Sequence, residues 1–213
     1  MVDCGGSYDD DAADVASATL LSQGITQLDG LIITHYDADH AGGTKGLLSR
    51  VPTEVLILPE GHEDKSLEEN ILDGFRGKVI RGDKDLQIAW GDSVISVFAS
   101  KYFGNSNETS LCVLFHEEEC DILITGDRGI LGETILLHAA DIPELDVLVA
   151  GHHGSSGSTG EELLEATRPK QVVISVGANN PYRHPSAATL KRLEAYGCYV
   201  RRTDLEGTII IRG

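Results

Sequence analysis

Long apolar runs, basic residues and paired cysteines are what this sequence has least of, and each shortage closes off a class of function. No stretch approaches the ~20 consecutive apolar residues that a bilayer-crossing helix needs, so no membrane-spanning segment is expected in this chain. Nor does a basic segment leading into an apolar one open it. The four cysteines (Cys4, Cys112, Cys120, Cys198) are scattered, with no C-x-x-C pair, which argues against a zinc ribbon or a thioredoxin-like redox site. Buried thiols are the ordinary expectation for them, with a bridge such as Cys112–Cys198 left open. Only 17 basic residues stand against 34 acidic ones, for a net charge of −17. Such a surface repels polyanions at long range and carries no electrostatic footprint for nucleic acid.

Internal repeats and low-complexity linkers are also absent. What remains is a 213-residue chain, 41% hydrophobic and 24% charged, the composition of an ordinary globular domain. The opening Met1-Val2-Asp3-Cys4-Gly5-Gly6 reads as the end of a strand and its turn. We therefore expect a single domain over 1–213, excised from a longer protein.

Apolar periodicity and turn residues predict a helix from Ala12 to about Gln23, preceded by acidic Asp9-Asp10-Asp11 and ended by Gly24. A buried strand follows over Asp29–Thr34, then a helix over Thr44–Arg50, a strand over Val55–Leu58 and a helix over Leu67–Phe75. Strands are predicted at Lys78–Arg81, Leu86–Ala89, Ser93–Ala99, Ser110–His116 and Asp121–Thr125. A helix from about Leu131 to Ala140 leads to a strand at Asp146–Ala150. Thr159-Gly160-Glu161-Glu162 has capping-box spacing for a helix that stops before Pro169. A strand at Val172–Val176, a helix capped by Ser186 and ended by Gly197, and closing strands at Tyr199–Arg201 and Gly207–Ile211 complete the chain.

The richest chemistry lies in Thr34-His35-Tyr36-Asp37-Ala38-Asp39-His40-Ala41-Gly42-Gly43. Two histidines and two aspartates fall within six positions, directly after the apolar run Leu31-Ile32-Ile33. Side chains so close together repel and desolvate one another unless a cation sits among them. Two further strands end in metal-capable residues before a Gly-containing turn, at Asp127 and at His152-His153. If those strand ends are neighbours, the ligands gather at one edge. The combined set, His35, Asp37, Asp39, His40, Asp127 and His152 or His153, is rich in oxygen and suits Mn²⁺ at least as well as Zn²⁺. Two such ions would make a hydrolytic centre.

His184, in the loop Asn179-Asn180-Pro181-Tyr182-Arg183-His184-Pro185, reads either as a phosphate contact and proton donor to a leaving oxygen, with Arg183 nearby, or as a loop histidine ordering the turn before a helix. Ser155 and Ser156 could bond a phosphate or simply form a capped turn. His138 falls within a predicted helix and reads as structural.

The motif H-x-D-x-D-H-x-G-G after a strand, then T-G-D, then H-H-G-S, resembles the metallo-β-lactamase superfamily. Within it the pattern is similar to the C-terminal domain of the ComEC-type competence DNA-uptake channel proteins. Supporting stretches are Leu28 to Gly43, Asn107 to Leu111, Leu123 to Asp127, His152 to Ser155, Ile174 to Gly177, Asn179 to Pro185, and Arg202-Thr203-Asp204 with Gly207. The resemblance implies an α/β fold, a metallo-β-lactamase-like αβ/βα sandwich, here without its first strand pair, which would leave one sheet edge unpaired. It implies that His35 and Asp37 hold a first metal, with Asp37 where most of the superfamily has histidine. Asp39 and His40 would hold the second, Asp39 also orienting the attacking water. Asp127 would bridge the two, and His152 would complete the second shell, with His153 as the competing assignment. The superfamily's further histidine has no clear counterpart. His62 and His116 lie in the interval outside any matching context, and Asn107-Glu108-Thr109-Ser110 takes the place.

The activity implied is a metal-dependent phosphodiesterase that degrades the non-transported DNA strand during natural transformation. Its setting would be the extracytoplasmic face of the bacterial membrane, beside the channel portion of the same protein. The charge of −17 requires affinity for DNA to come from the metals, from Arg128, Arg183, Arg201 and Arg202 if they cluster, or from neighbouring domains. The alternatives are hydrolysis of a small phosphodiester such as a phosphorylcholine-type ester, which an acidic rim tolerates better, and a catalytically inactive docking domain. β-Lactam hydrolysis is disfavoured by the incomplete three-histidine site.

Overall fold

A computed structural model describes residues 1–6, 11–60, 65–100, 107–118 and 120–211. His62 and the acidic pair Asp9-Asp10 lie outside the described residues. The chain divides into two compact units, Met1–Lys84 and Asp85–Gly213.

The first unit is a parallel sheet of β1 (Leu28–Ile32), β2 (Thr53–Pro59) and β3 (Lys78–Gly82), in that order. Its helices are α1 (Asp11–Ser22), the single turn α2 (Ala38–Ala41), α3 (Thr44–Arg50) and α4 (Ser66–Leu72). The apolar runs of β1 and β2 are those of parallel strands, with Leu31 opposite Leu56 and Ile32 opposite Ile57. Leu31, Ile33, Tyr36, Leu47, Leu56, Leu58 and Ile71 share one core with Cys4 and Ala13. Residues 1–3 run alongside β1. Asp3 N donates to Ile32 O at 2.8 Å and Ile32 N to Met1 O at 3.0 Å, around a single Val2–Ile32 bridge. Among the described residues that stub is all that meets this edge.

The second unit is a seven-stranded sheet in the order β10-β9-β8-β7-β6-β5-β4. An antiparallel meander of β4 (Leu86–Trp90), β5 (Ser93–Phe98), β6 (Cys112–Glu117) and β7 (Cys120–Ile124) comes first. It passes into parallel β8 (Val147–Val149), β9 (Gln171–Ile174) and β10 (Tyr199–Arg202) through helices α5 (Ile130–Ala139), α6 (Glu161–Thr167) and α7 (Ala187–Ala195). Parallel strands require such crossovers, and they bring the C-terminal ends of β7, β8 and β9 to one edge. Leu123, Leu136, Leu145, Leu148, Leu163, Leu164, Val172, Ile174 and Leu193 form the core. All four cysteines are free thiols.

Ser186 caps α7 as expected, its Oγ accepting from Thr189 N at 3.0 Å, and Gly24 and Gly197 end their helices at φ of 78° and 70°. Two local expectations fail. The helix after Thr159 is capped by the backbone of Gly160 with no side-chain bond, so the capping box does not form. Thr159 instead sits at φ 54° with its Oγ1 accepting from Gly151 N, and Glu162 turns away to accept from Thr134 Oγ1. No strand forms at Gly207–Ile211. The chain turns into the short helix α8 (Thr203–Glu206), where Glu206 takes the N–H of Arg202 and the guanidinium of Arg201, and Gly207 at φ 72° redirects the backbone.

Candidate metal centre

In the first unit, β1 delivers His35, and the turn α2 places His40 three residues past its N-cap, Asp37. An aspartate at an N-cap ordinarily bonds the helix's first N–H groups. Asp37 makes no such bond, and its Oδ2 lies 3.8 Å from His35 Nε2. His35 and His40 are both buried, their ring centroids 4.1 Å apart. Asp39 is exposed on α2.

The orientation of both rings is set by a residue that the sequence reading passed over. Asp3 Oδ2 lies 2.8 Å from His40 Nδ1 and accepts from Thr34 Oγ1 at 2.8 Å, while its Oδ1 accepts from Thr34 N at 2.7 Å. A carboxylate can only accept, so His40 Nδ1 carries the proton and Nε2 is left as a lone-pair donor. Thr34 Oγ1 spends its own hydrogen on Asp3 and therefore accepts from His35 Nδ1, 3.1 Å away, which puts the lone pair of that ring on Nε2 in the same way. These tautomers follow from the hydrogen-bond network. A carboxylate behind a ligating imidazole is the usual second layer of a metal site. The available signal was an acid in a Gly-Gly turn at the chain start. Gly5 has no Cβ because one would lie 1.8 Å from Asp39 O.

In the second unit, Asp127 follows β7 in the turn Thr125-Gly126-Asp127, with Gly126 at φ 57°. β8, the parallel neighbour of β7, ends in Gly151-His152-His153-Gly154. His152 and His153 both occupy the left-handed region, at φ 49° and 53°. Two adjacent non-glycine residues there cost roughly 1–2 kcal/mol each, a strain that clusters at functional sites. His152 N donates to Gly126 O at 3.1 Å, tying the two turns together. His153 Nδ1 lies 2.8 Å from Ser175 O. A carbonyl only accepts, so this ring also presents Nε2 as a lone pair. His152 Nε2 lies 3.6 Å from Asp127 Oδ2, and His153 Nε2 lies 4.0 Å from Asp127 Oδ1. Both separations exceed hydrogen-bond length. Ligand atoms ~2.1 Å from one tetrahedral ion sit ~3.4 Å apart, so this spread fits donors arranged around a cation. Asp127 is only 3% exposed, and a buried carboxylate calls for pairing or a metal. Imidazole nitrogens and carboxylate oxygens of this kind are the donor chemistry of a candidate divalent-metal site.

Ser110, in the stretch that stands where the superfamily has a further histidine, touches this turn, its Oγ accepting from Asp127 N at 3.3 Å. Ser155 Oγ accepts from Gly157 N at 3.3 Å, while Ser156 is exposed. The loop from Ser155 to Gly160 is held from two sides. Buried Glu133 on α5 accepts from Thr159 N at 2.6 Å and Gly160 N at 2.8 Å, and Arg192 on α7 donates to the carbonyls of Ser156, Ser158 and Thr159. Burial pushes the Glu133 carboxyl up to about 7, against the pull of those N–H groups and of Arg192.

His184 stands edge-on to His152, with ring centroids 5.7 Å apart. Its Nδ1 is buried with no hydrogen-bond partner among the described residues. Burial, then the neighbouring His152 and His153, lowers its pKa. Arg183, at φ 57°, is exposed. The other proposed basic residues do not gather as a phosphate-binding cluster. Arg128 is 3% exposed and donates to Ser110 O and Phe98 O, Arg201 pairs with Glu206, and Arg202 pairs with Asp204. His138 is exposed on α5, and His116 pairs with Asp121 at 2.7 Å.

Comparison with known proteins bears on the family and the fold. A model of the metallo-β-lactamase superfamily matches residues 1–178. ComE operon protein 3 of Bacillus subtilis (strain 168) is 37% identical over 203 residues, covering 91% of this chain and 26% of that protein. Recombination protein 2 of Haemophilus influenzae is 31% identical over 188 residues, covering 85% of this chain and 22% of that protein. The chain thus spans about a quarter of the length of these curated relatives. Among solved structures, the metallo-β-lactamase fold protein YhfI from Bacillus subtilis matches with a TM-score of 0.58 at 13% identity, covering 94% of this chain and 82% of that one. CmlA, a diiron β-hydroxylase from Streptomyces venezuelae, matches with a TM-score of 0.56 at 14% identity, covering 83% and 44%. At such identities the likeness shows the fold alone. Among the described residues no helix is long and apolar enough to cross a membrane.

Proposed function

The chain belongs to the metallo-β-lactamase superfamily, and within it we propose that it is a metal-dependent phosphodiesterase acting on DNA. The observation that carries this reading is the aim of His152 Nε2 and His153 Nε2 at the two oxygens of buried Asp127, at separations too long for hydrogen bonds. His35, Asp37, Asp39 and His40 would supply the remaining ligands, with Asp127 bridging and His152 completing the second ion's shell. Mn²⁺ suits the oxygen-rich set, and Zn²⁺ is the other candidate. Two bound ions would acidify a water and neutralise the attacked phosphate. Asp39 would orient that water. His184, beside His152, would donate a proton to the leaving oxygen, with Arg183, Ser155 and Ser156 contacting the phosphate.

The relatives' names, among them a competence protein of Neisseria gonorrhoeae, support a place in DNA uptake. In this reading the domain degrades the non-transported strand. It would do so on the extracytoplasmic face of the membrane, as one part of a longer channel protein.

A second reading is hydrolysis of a small phosphodiester such as a phosphorylcholine-type ester. The net charge of −17 and the internal pairing of Arg128, Arg201 and Arg202 favour it. The third is an inactive docking domain. Metal content separates the enzyme readings from the last, and rates on DNA against a small chromogenic phosphodiester separate the first two. Mn²⁺-dependent nucleotide release that disappears in Asp127→Asn supports the nuclease. No release with any divalent ion removes it.

A further inference from the structure

An enzyme of this charge that acts on DNA gains little from the long-range attraction of its own side chains and most from contacts that need no charge. Its net charge is −17, and three of the four arginines nominated for phosphate contact already bond groups of the protein itself. What the second unit offers beside His152 is aromatic. Tyr182 is 76% exposed, and its ring lies nearly parallel to that of His184, with centroids 5.9 Å apart at 19°. His184 in turn meets His152 edge-on at 5.7 Å. The three rings make a continuous file from solvent to a proposed metal ligand.

The loop that carries the file is built to hold it still. Asn180 accepts the N–H of His184 at 2.9 Å and donates its amide to His184 O at 2.7 Å and Gly177 O at 3.1 Å. Asn179 and Arg183 take left-handed conformations, at φ 57° each, to turn the chain around it. An exposed tyrosine on a mobile tip would lose rotamer and backbone entropy on binding. One on a pinned loop, already packed against a second ring, loses less. The face of Tyr182 turned away from His184 is a ready surface for a planar ring.

We propose that Tyr182, backed by His184, is a nucleobase-stacking platform, and that the substrate is single-stranded DNA. The assignment rests on the phosphodiesterase reading and gives it a substrate class. Stacking accepts every base, because each has a π-face. It also depends little on salt, unlike phosphate contacts, whose counterion release makes binding fall steeply as salt rises. A duplex keeps its bases stacked on one another and presents them to Tyr182 only at its ends.

The test is fluorescence anisotropy of a labelled oligothymidylate with the full chain in EDTA, where cleavage does not intervene. Tyr182→Ala is expected to weaken binding about 5- to 150-fold, the worth of one stacked base, and Tyr182→Phe to leave it within about 2-fold of wild type. An abasic strand of the same length should bind wild type as poorly as the oligothymidylate binds Tyr182→Ala, and a blunt duplex should bind about 10-fold more weakly than the single strand. Binding unchanged in Tyr182→Ala, equal losses in Ala and Phe, an abasic strand bound as well as the normal one, or no binding at all would overturn the platform. Metal-dependent hydrolysis of a small chromogenic phosphodiester, measured on the same wild-type protein, reports on the phosphodiesterase reading separately. A chain that hydrolyses it while failing the stacking test keeps its chemistry and loses this substrate.

Discussion

Asp3 and His40, 37 positions apart in the chain, are joined by a 2.8 Å contact between Oδ2 and Nδ1 that leaves the lone pair of the ring on Nε2. The same carboxylate holds Thr34, and Thr34 holds His35, so one acid at the edge of the first unit orients two proposed ligands.

Asp3→Asn keeps an oxygen for Thr34 N but takes the charge away from His40. Loss of an outer partner of this kind lowers metal affinity about 10- to 100-fold. Competition for Mn²⁺ or Zn²⁺ against a chromophoric chelator measures it, and an unchanged affinity would show that His40 needs no such support.

Asp37→Ala removes a side chain that neither caps its helix nor lies in the core. Folding stability is expected to stay within about 0.5 kcal/mol of wild type, while bound metal and any hydrolytic activity fall away. Elemental analysis beside a urea denaturation curve reads both quantities. Full metal content in this variant removes Asp37 from the ligand set.

Glu133 makes stability depend on pH in a direction opposite to a salt-bridged carboxylate. Its folded pKa is raised from 4.5 to about 7. Between those values the folded chain holds a proton that the unfolded chain has released, so stability falls as pH rises through the window. The loss amounts to roughly 3 kcal/mol at 1.36 kcal/mol per pKa step. The groups that set this balance are the N–H groups of Thr159 and Gly160, Arg192 and Glu108. Glu133→Gln cannot ionise, so the stability difference between wild type and variant should shift by about that amount between pH 5 and pH 8. Denaturation of metal-free protein at the two pH values checks it. A constant difference would mean Glu133 ionises normally.

Gly5→Ala would drive a methyl group to 1.8 Å from Asp39 O, a backbone atom that cannot step aside. A cost of at least about 3 kcal/mol is expected, with a melting temperature lower by roughly 6–12 °C. Gly24→Ala provides the control. Its φ is 78°, but nothing lies within 4 Å of the added carbon, so the cost is only the left-handed conformation, about 1 kcal/mol. Equal melting temperatures for the two variants would contradict the close approach of the Gly5 turn to the α2 loop.

Apolar runs and turn residues placed nearly every strand and helix, because strands and the helices packed on them bury hydrophobic stretches whatever surrounds them. They misplaced what depends on a partner. Thr159 and Glu162 have capping-box spacing, yet Glu133 from another helix claims the N–H groups of Thr159 and Gly160. The apolar tail 208–211 has strand composition, but the turn of α8 draws its start away.

His35, Asp37 and His40 in the first unit, and Asp127, His152 and His153 in the second, were legible as candidates because strand ends followed by glycine turns are where such residues gather. Which nitrogen each ring offers was not legible. A tautomer is decided by the acceptor behind the ring, and those acceptors, Asp3 and Ser175, arrive from chain segments that only the folded sheets bring alongside. Local order in this chain is thus written in hydrophobic period and turn chemistry, which act between near neighbours. The direction of its ligands is settled by hydrogen bonds across 22 to 37 residues, which exist only once the backbone has closed.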